Sequence, residues 1–243
     1  MKPFSVAAVG RSDQGLRYDH NEDSFHLGEQ LAVIADGIGG SVAGEVASRT
    51  VVDVFAEADP AESGDDLYRI LGDCVRRSTD AINDLVRRDP DLDGMGTTAT
   101  AMMWVADRIV VAQIGDSRAY YLPGRGAREL AQITRDDSFV QYLVDVGTIT
   151  AEAARSHPRR NVILQALNGM SVTPTFSTMA PMPGDRYLLC SDGLSDYVEH
   201  AEIERVLRDG SDRDAAAGDL IALALAAGAP DNVTVIVADV VPA

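Results

Sequence analysis

The stretch "TTATAMMWVADRIVVAQIGDSRAYYL" (97–122) holds three strand-like runs in succession, "TTATAMMWVA", "RIVVAQIG" and "RAYYL", each rich in apolar, β-branched or aromatic residues. Similar runs lie on either side, "FSVAAV", "SFHLG" and "LAVIA" before it and "RYLLCS" and "NVTVIVADV" after it. Helical periodicity comes in pairs of segments. Residues 42–58 place Val42, Val46, Val51, Val54 and Phe55 on one face, and residues 66–87 do the same with Leu67, Ile70, Leu71, Cys74, Val75, Ile82 and Leu85. A second pair, "AEIERVL" and "AAAGDLIALALAAG", precedes the last strand. Clustered strands with paired helices, rather than β-α alternation, indicate an α+β fold: a layered sandwich covered by helices. Residues 134–170 read as mostly helical and polar, a lobe over the scaffold.

The 243 residues are 46% hydrophobic, enough for a sizeable core, and no repeat or linker divides them. A single domain over 1–243 is expected. No run of eighteen apolar residues occurs, and "MKPFSVAAVG" lacks the pattern of a signal peptide, so a soluble, cytoplasmic chain is expected. Cys74 and Cys190 form no disulfide framework or metal-ligand spacing and read as buried thiols. A net charge of −17 repels nucleic acid and anionic membrane, and it concentrates cations near the surface.

The stretch "LAVIADGIGGSVAGEVAS" (31–48) passes from an apolar strand to an acid, then to glycines, then to a helix. Asp36 is one of several carboxylates at the ends of strand-like runs. Asp116 follows "VVAQIG", Asp192 follows "RYLLCS", Asp231 precedes "NVTVIVADV", and Glu22 with Asp23 precedes "SFHL". A lone strand-end Asp is usually an Asx-turn or a helix cap. A set of them brought together would repel one another unless cations lay between them. Oxygen ligands without clustered Cys or His suit Mg²⁺ or Mn²⁺ better than zinc.

"GIGGSVAG" does not fit a dinucleotide-binding loop. Val42 takes the place of the last glycine, and Asp36 would face the pyrophosphate with like charge. There is no G-x-S-x-G elbow and no H-E-x-x-H pair, and only four histidines are present, so activation of water by metal is the economical chemistry.

The ordered set "NEDS" (21–24), "DGIGG" (36–40), "GMGTT" (94–98), "GDSR" (115–118), "SDGLSD" (191–196) and "PDNVT" (230–234) resembles the metal-dependent type 2C serine/threonine protein phosphatases, the PPM family, in their compact bacterial form. The resemblance implies a four-layer α-β-β-α sandwich of two antiparallel sheets with flanking helix pairs. It implies two Mn²⁺ or Mg²⁺ ions and a third, weaker site. Asp36 would bridge the two metals, and the Gly37 carbonyl would bind one of them. Asp192 and Asp231 would bind the other, while Glu22 and Asp23 would hold metal waters or touch a metal. Asp116 with Asp192 would form the third site. A metal-bridging hydroxide would then hydrolyse phosphoserine or phosphothreonine in proteins directly, opposing bacterial Ser/Thr kinases, and residues 134–170 would be the family's flap.

The chain departs from the family pattern at several places. The family's phosphate-binding arginine lies four residues before the Glu of "NED"; Tyr18 stands there and Arg17 beside it, so Arg17 is the candidate for phosphate binding and catalysis. Ile38 and Ser41 stand where relatives carry a histidine, which leaves the general acid unassigned, and Asp137 replaces a histidine common at the opening of the flap. The displaced arginine supports an alternative, an inactive relative that binds phosphoproteins as a regulatory module. The carboxylate set argues against it, because mutually repelling acids are costly to hold together without cations.

Overall fold

The computed structural model describes residues 4–38, 42–59, 66–105, 107–125, 129–210 and 212–242. Gly39, Gly40, Ser41 and the side chain of Val42 lie outside the described residues.

Two five-stranded antiparallel sheets form the centre. One runs in the order β1 (Phe4–Asp13), β12 (Val233–Pro242), β11 (Arg186–Cys190), β8 (Arg118–Leu122), β9 (Ala131–Gln132). The other runs β10 (Thr175–Met179), β7 (Arg108–Ile114), β6 (Ala99–Val105), β3 (Leu31–Ala35), β2 (Ser24–Leu27). A two-stranded ladder pairs β4 (Gly37–Ile38) with β5 (Gly96–Thr97).

Central strands such as β3 are buried along their whole length, because both faces of each sheet are covered. Alternation assigns the residues to layers. Ala32, Ile34, Met102, Trp104 and Val111 meet Tyr187, Leu189, Ile236 and Ala238 between the sheets. Leu31, Val33, Ala101, Met103 and Val110 face the other way, onto α1 (Val42–Ala56) and α2 (Leu67–Arg88), where Val51, Phe55, Leu71, Cys74 and Ile82 are buried. Leu188, Cys190, Val235 and Val237 do the same for α6 (His200–Asp209) and α7 (Arg213–Ala226) through Ile203, Leu207 and Leu220. Three apolar layers separate four layers of structure, so the expected α-β-β-α sandwich is the observed fold. Both cysteines are free and buried. Among the described residues no helix is long and apolar enough to cross a membrane.

Residues 134–170 differ from the expected mostly helical lobe. They contain only two short helices, α3 (Phe139–Asp145) and α4 (Ala151–Arg155), capped by the hydroxyls of Ser138 and Thr150. The rest is loop, held by scattered main-chain bonds such as Leu164 N–H to the Asp137 carbonyl and by single bridges pairing Ser138 with Ile163 and Thr97 with Leu167. A further short helix, α5 (Asp192–Ser195), follows β11 directly.

Candidate metal centre

The ends of four central strands and the turn before a fifth meet at one edge of the two sheets. Asp36 leaves β3 held on both sides of its peptide. Its N–H donates to Thr98 Oγ1 at 3.0 Å, and its carbonyl accepts the Thr97 hydroxyl at 2.8 Å and the Thr98 N–H at 2.9 Å. Gly37 pairs with Thr97, and a Cβ there would sit 2.5 Å from the Gly44 carbonyl oxygen and 2.7 Å from that of Glu22. Glycine is therefore required by the close approach of two backbones.

Asp23 is buried. The Ser191 hydroxyl donates to its Oδ2 at 2.8 Å, and Ser191 also accepts the Thr234 N–H at 2.9 Å, which ties "NED" to the ends of β11 and β12. Glu22 donates its N–H to Asn232 Oδ1 at 2.8 Å, and its carboxylate meets His20 Nε2 at 3.0 Å. Buried Asn232 also donates to the carbonyls of Gln14 and His20, so one amide fastens the 14–22 loop to the "PDN" turn that carries Asp231.

The electrostatics show how closely these groups face one another. Burial first, then the charges of Asp23, Asp192, Asp116 and Asp231, push Asp36 well above the ordinary carboxylate range. Asp192 is raised in the same direction by burial, then by Asp116, Asp196, Asp231 and Asp23. Burial lifts Asp23 to about 6, against the lowering effect of its Thr234 and Ser191 hydrogen bonds. Burial also lifts Asp116 to about 7, with the charges of Asp136 and Asp196 adding to it. Asp231 is raised by burial, while the Asn232 N–H and the positive charge of Arg17 pull it back.

Asp23, Asp36, Asp116, Asp192 and Asp231 are thus near enough to feel one another's charge. Among the described residues no three acids, histidines or cysteines form, as they stand, a group that could hold a metal ion. The donors come from separate elements, and their chemistry fits hard divalent cations. All are oxygens, they repel one another, and Asp116 Oδ1 is buried with no hydrogen-bond partner among the described residues.

Arg17 is exposed, on the loop beside Asp231, with its guanidinium 6.0 Å from the centre of the Tyr18 ring. Its field reaches Asp231. His157 lies in the 134–170 segment with its Nδ1 accepting the Arg159 N–H. Asp137 is buried and turned inward, with Oδ2 taking the Gly115 N–H at 3.1 Å. Beside Asp116 a cavity of about 460 Å³ opens between Val140, Arg155 and Arg160 on one side and Asp196 and Ile203 on the other. Its floor holds a buried ion pair, Arg118 with Asp136 at 2.7 Å.

Sequence reasoning did not single out Asn232, Ser191, Thr98 or Gly44. A Cβ on Gly44 would overlap Glu22 Oε2, so the bare first turn of α1 leaves room there for the Glu22 carboxylate. Three of the four lie within or beside quoted motifs, and that adjacency was the available signal.

The sequence profile of the family described as protein phosphatase 2C matches residues 16–224. The chain is 50% identical over 233 residues to the serine/threonine protein phosphatase PstP of Mycobacterium tuberculosis, covering 96% of this chain but 45% of that protein. It is 33% identical to the serine/threonine phosphatase stp of Listeria innocua, covering 94% of each. The chain thus spans about half the length of the PstP relatives it matches. Among solved structures it superposes on the crystal structure of the M. tuberculosis serine/threonine phosphatase PstP/Ppp with a TM-score of 0.93 at 48% identity, over 98% of this chain and 99% of that one. It superposes on the PstP catalytic domain in complex with two manganese ions with a TM-score of 0.91 at 47% identity, over 98% and 99%.

Proposed function

The chain belongs to the protein phosphatase 2C family, and from that membership we propose that it is a Mn²⁺- or Mg²⁺-dependent phosphatase acting on phosphoserine and phosphothreonine in proteins. The observation that carries the reading is the proximity of Asp23, Asp36, Asp116, Asp192 and Asp231, several of which are raised at once, by burial first and then by one another's charge. Such an arrangement is stable when cations offset the charge.

In this reading Asp36, the Gly37 carbonyl, Asp192 and Asp231 would hold the two cations. Glu22 and Asp23 would hold the surrounding waters or touch a metal, and Asp116 with Asp192 would offer a third, weaker site. When bound, the cations supply the Lewis acidity that makes water a nucleophile near neutral pH. The chain's own contribution is placement. Threonines 97 and 98 fix Asp36, Ser191 fixes Asp23, and Asn232 fixes the loop of Glu22. Arg17, whose charge reaches Asp231, would receive the phosphoryl oxygens, since a guanidinium pairs well with phosphate.

The described chain is read as one phosphatase domain with a flap at about 134–170, which borders the cavity beside Asp116 and so helps select the protein substrate. Phosphoproteins made by Ser/Thr kinases, and the kinases themselves, are the expected partners. The test is release of phosphate from a phosphothreonine peptide by chelator-treated protein. Activity should appear on adding Mn²⁺ and be lost in Asp36→Ala and Asp192→Ala. Turnover that is unchanged without divalent cation would contradict the reading.

A further inference from the structure

Thr98 stands at the head of β6, the strand between β3 and β7 in its sheet, and is fully buried. Its hydroxyl oxygen accepts the Asp36 N–H at 3.0 Å and lies 2.8 Å from Ser117 Oγ. Its own N–H donates to the Asp36 carbonyl at 2.9 Å. The methyl side faces Gly115, whose φ is +96° and where a built Cβ would stand 2.7 Å from Thr98 Cβ. One side chain therefore meets the backbone of Asp36 and also the residues immediately before and after Asp116.

The turn it meets is rigid. Gln113 Nε2 donates to the carbonyls of Gly115 and Ser117 at 2.9 and 2.7 Å, and the Thr100 hydroxyl holds Gln113 Oε1 at 2.6 Å. Gly115 in turn exchanges bonds with Asp137: its N–H donates to Asp137 Oδ2 at 3.1 Å, and its carbonyl accepts the Asp137 N–H at 2.8 Å. A hydroxyl has one proton and two lone pairs, so bonding at once to Asp36 and Ser117 commits most of its capacity.

We infer that Thr98 is a positioning residue that sets the Asp36 and Asp116 carboxylates in a fixed register, so that a cation held at one is felt at the other. The inference rests on the cation-binding reading above. Asp36 and Asp116 end strands that do not touch each other, and Thr98 is the buried group that bonds to the backbone of one and packs around the other. Groups that hold neighbouring cations need placement within a fraction of an ångström, and outer partners of ligands supply it.

The test is calorimetric titration of Mn²⁺ into the chelator-treated full chain, with metal-free thermal unfolding measured in parallel. Thr98→Val keeps the shape and loses the hydroxyl; its Mn²⁺ affinity should fall about 10–100-fold. Thr98→Ser restores the hydroxyl and should return to near the wild-type affinity, a rescue that a purely packing role would not give. Ser117→Ala leaves the bond to Asp36 and cuts the link toward Asp116; it should keep the tight phase and weaken the later one, and it decides the matter if Thr98→Val fails to fold. Wild-type affinity in Thr98→Val, equal loss in Thr98→Val and Thr98→Ser, or an unchanged later phase in Ser117→Ala would overturn the inference. Wild-type protein that binds no Mn²⁺ would overturn the cation-binding reading itself, before any variant is compared.

Discussion

The Glu22 carboxylate occupies the space that Gly44 leaves on the first turn of α1: a Cβ on Gly44 would overlap Glu22 Oε2. Glu22 is a flexible side chain, so Gly44→Ala is expected to move the carboxylate rather than break the helix. Alanine favours helix over glycine by about 1 kcal/mol, which offsets much of the strain. The variant should unfold within a few degrees of wild type in the absence of metal, yet bind Mn²⁺ more weakly. Thermal unfolding beside calorimetry separates the two effects, and equal loss of both would assign Gly44 to stability alone.

The raised carboxylates make a prediction about pH. Asp23 at about 6 and Asp116 at about 7, with Asp36 and Asp192 shifted the same way, hold protons in the folded state that the unfolded chain, near 4, has already released. Their contribution to stability is fully present below the unfolded value and is lost as pH rises through the folded values. Metal-free protein should therefore melt at a lower temperature at about pH 8 than at about pH 5. Saturating Mn²⁺ should flatten that slope, because binding releases the same protons. Unfolding curves across this range, with and without Mn²⁺, check both statements.

The Arg118 guanidinium and Asp136 form a bidentate pair, with Nε 3.0 Å from both carboxylate oxygens and Nη2 2.7 Å from one. Side-chain exposure is 20% and 8%, so removing one partner strands a charge in a mostly dry place. Arg118→Met is expected to destabilise by about 3 kcal/mol, and the double change Arg118→Met with Asp136→Leu by clearly less. Urea unfolding of the two variants measures the difference.

Arg17 stands one position before the place where the family carries its phosphate-binding arginine, a place that Tyr18 occupies. With Arg17 acting on the phosphoryl oxygens, Arg17→Ala should raise KM for a phosphothreonine peptide about tenfold, while Tyr18→Ala leaves it within about twofold. The reverse order would assign the phosphate contact elsewhere.

The sandwich was legible because its central strands are mostly apolar and its helices carry apolar faces. Strand β10 was not: Thr175–Met179 lies at a sheet edge and is mostly exposed, so no apolar run marks it. The 134–170 segment misled for a related reason. Its sequence suits helix locally, but its shape comes from distant partners such as Asp137 with Gly115, which no local pattern encodes. The acids were legible because each lies just before or just after a strand. The groups that aim them, Asn232, Ser191 and Thr98, were not, since a buried hydroxyl or amide looks in sequence like any other polar residue near a turn.

The most direct measurement is anomalous scattering from crystals of this chain soaked in Mn²⁺. The account predicts two strong peaks beside Asp36, one toward Gly37 and the other toward Asp192 and Asp231, as many ions as the related PstP catalytic domain holds. Absence of density beside Asp36, in protein that still releases phosphate from a phosphothreonine peptide, would contradict it.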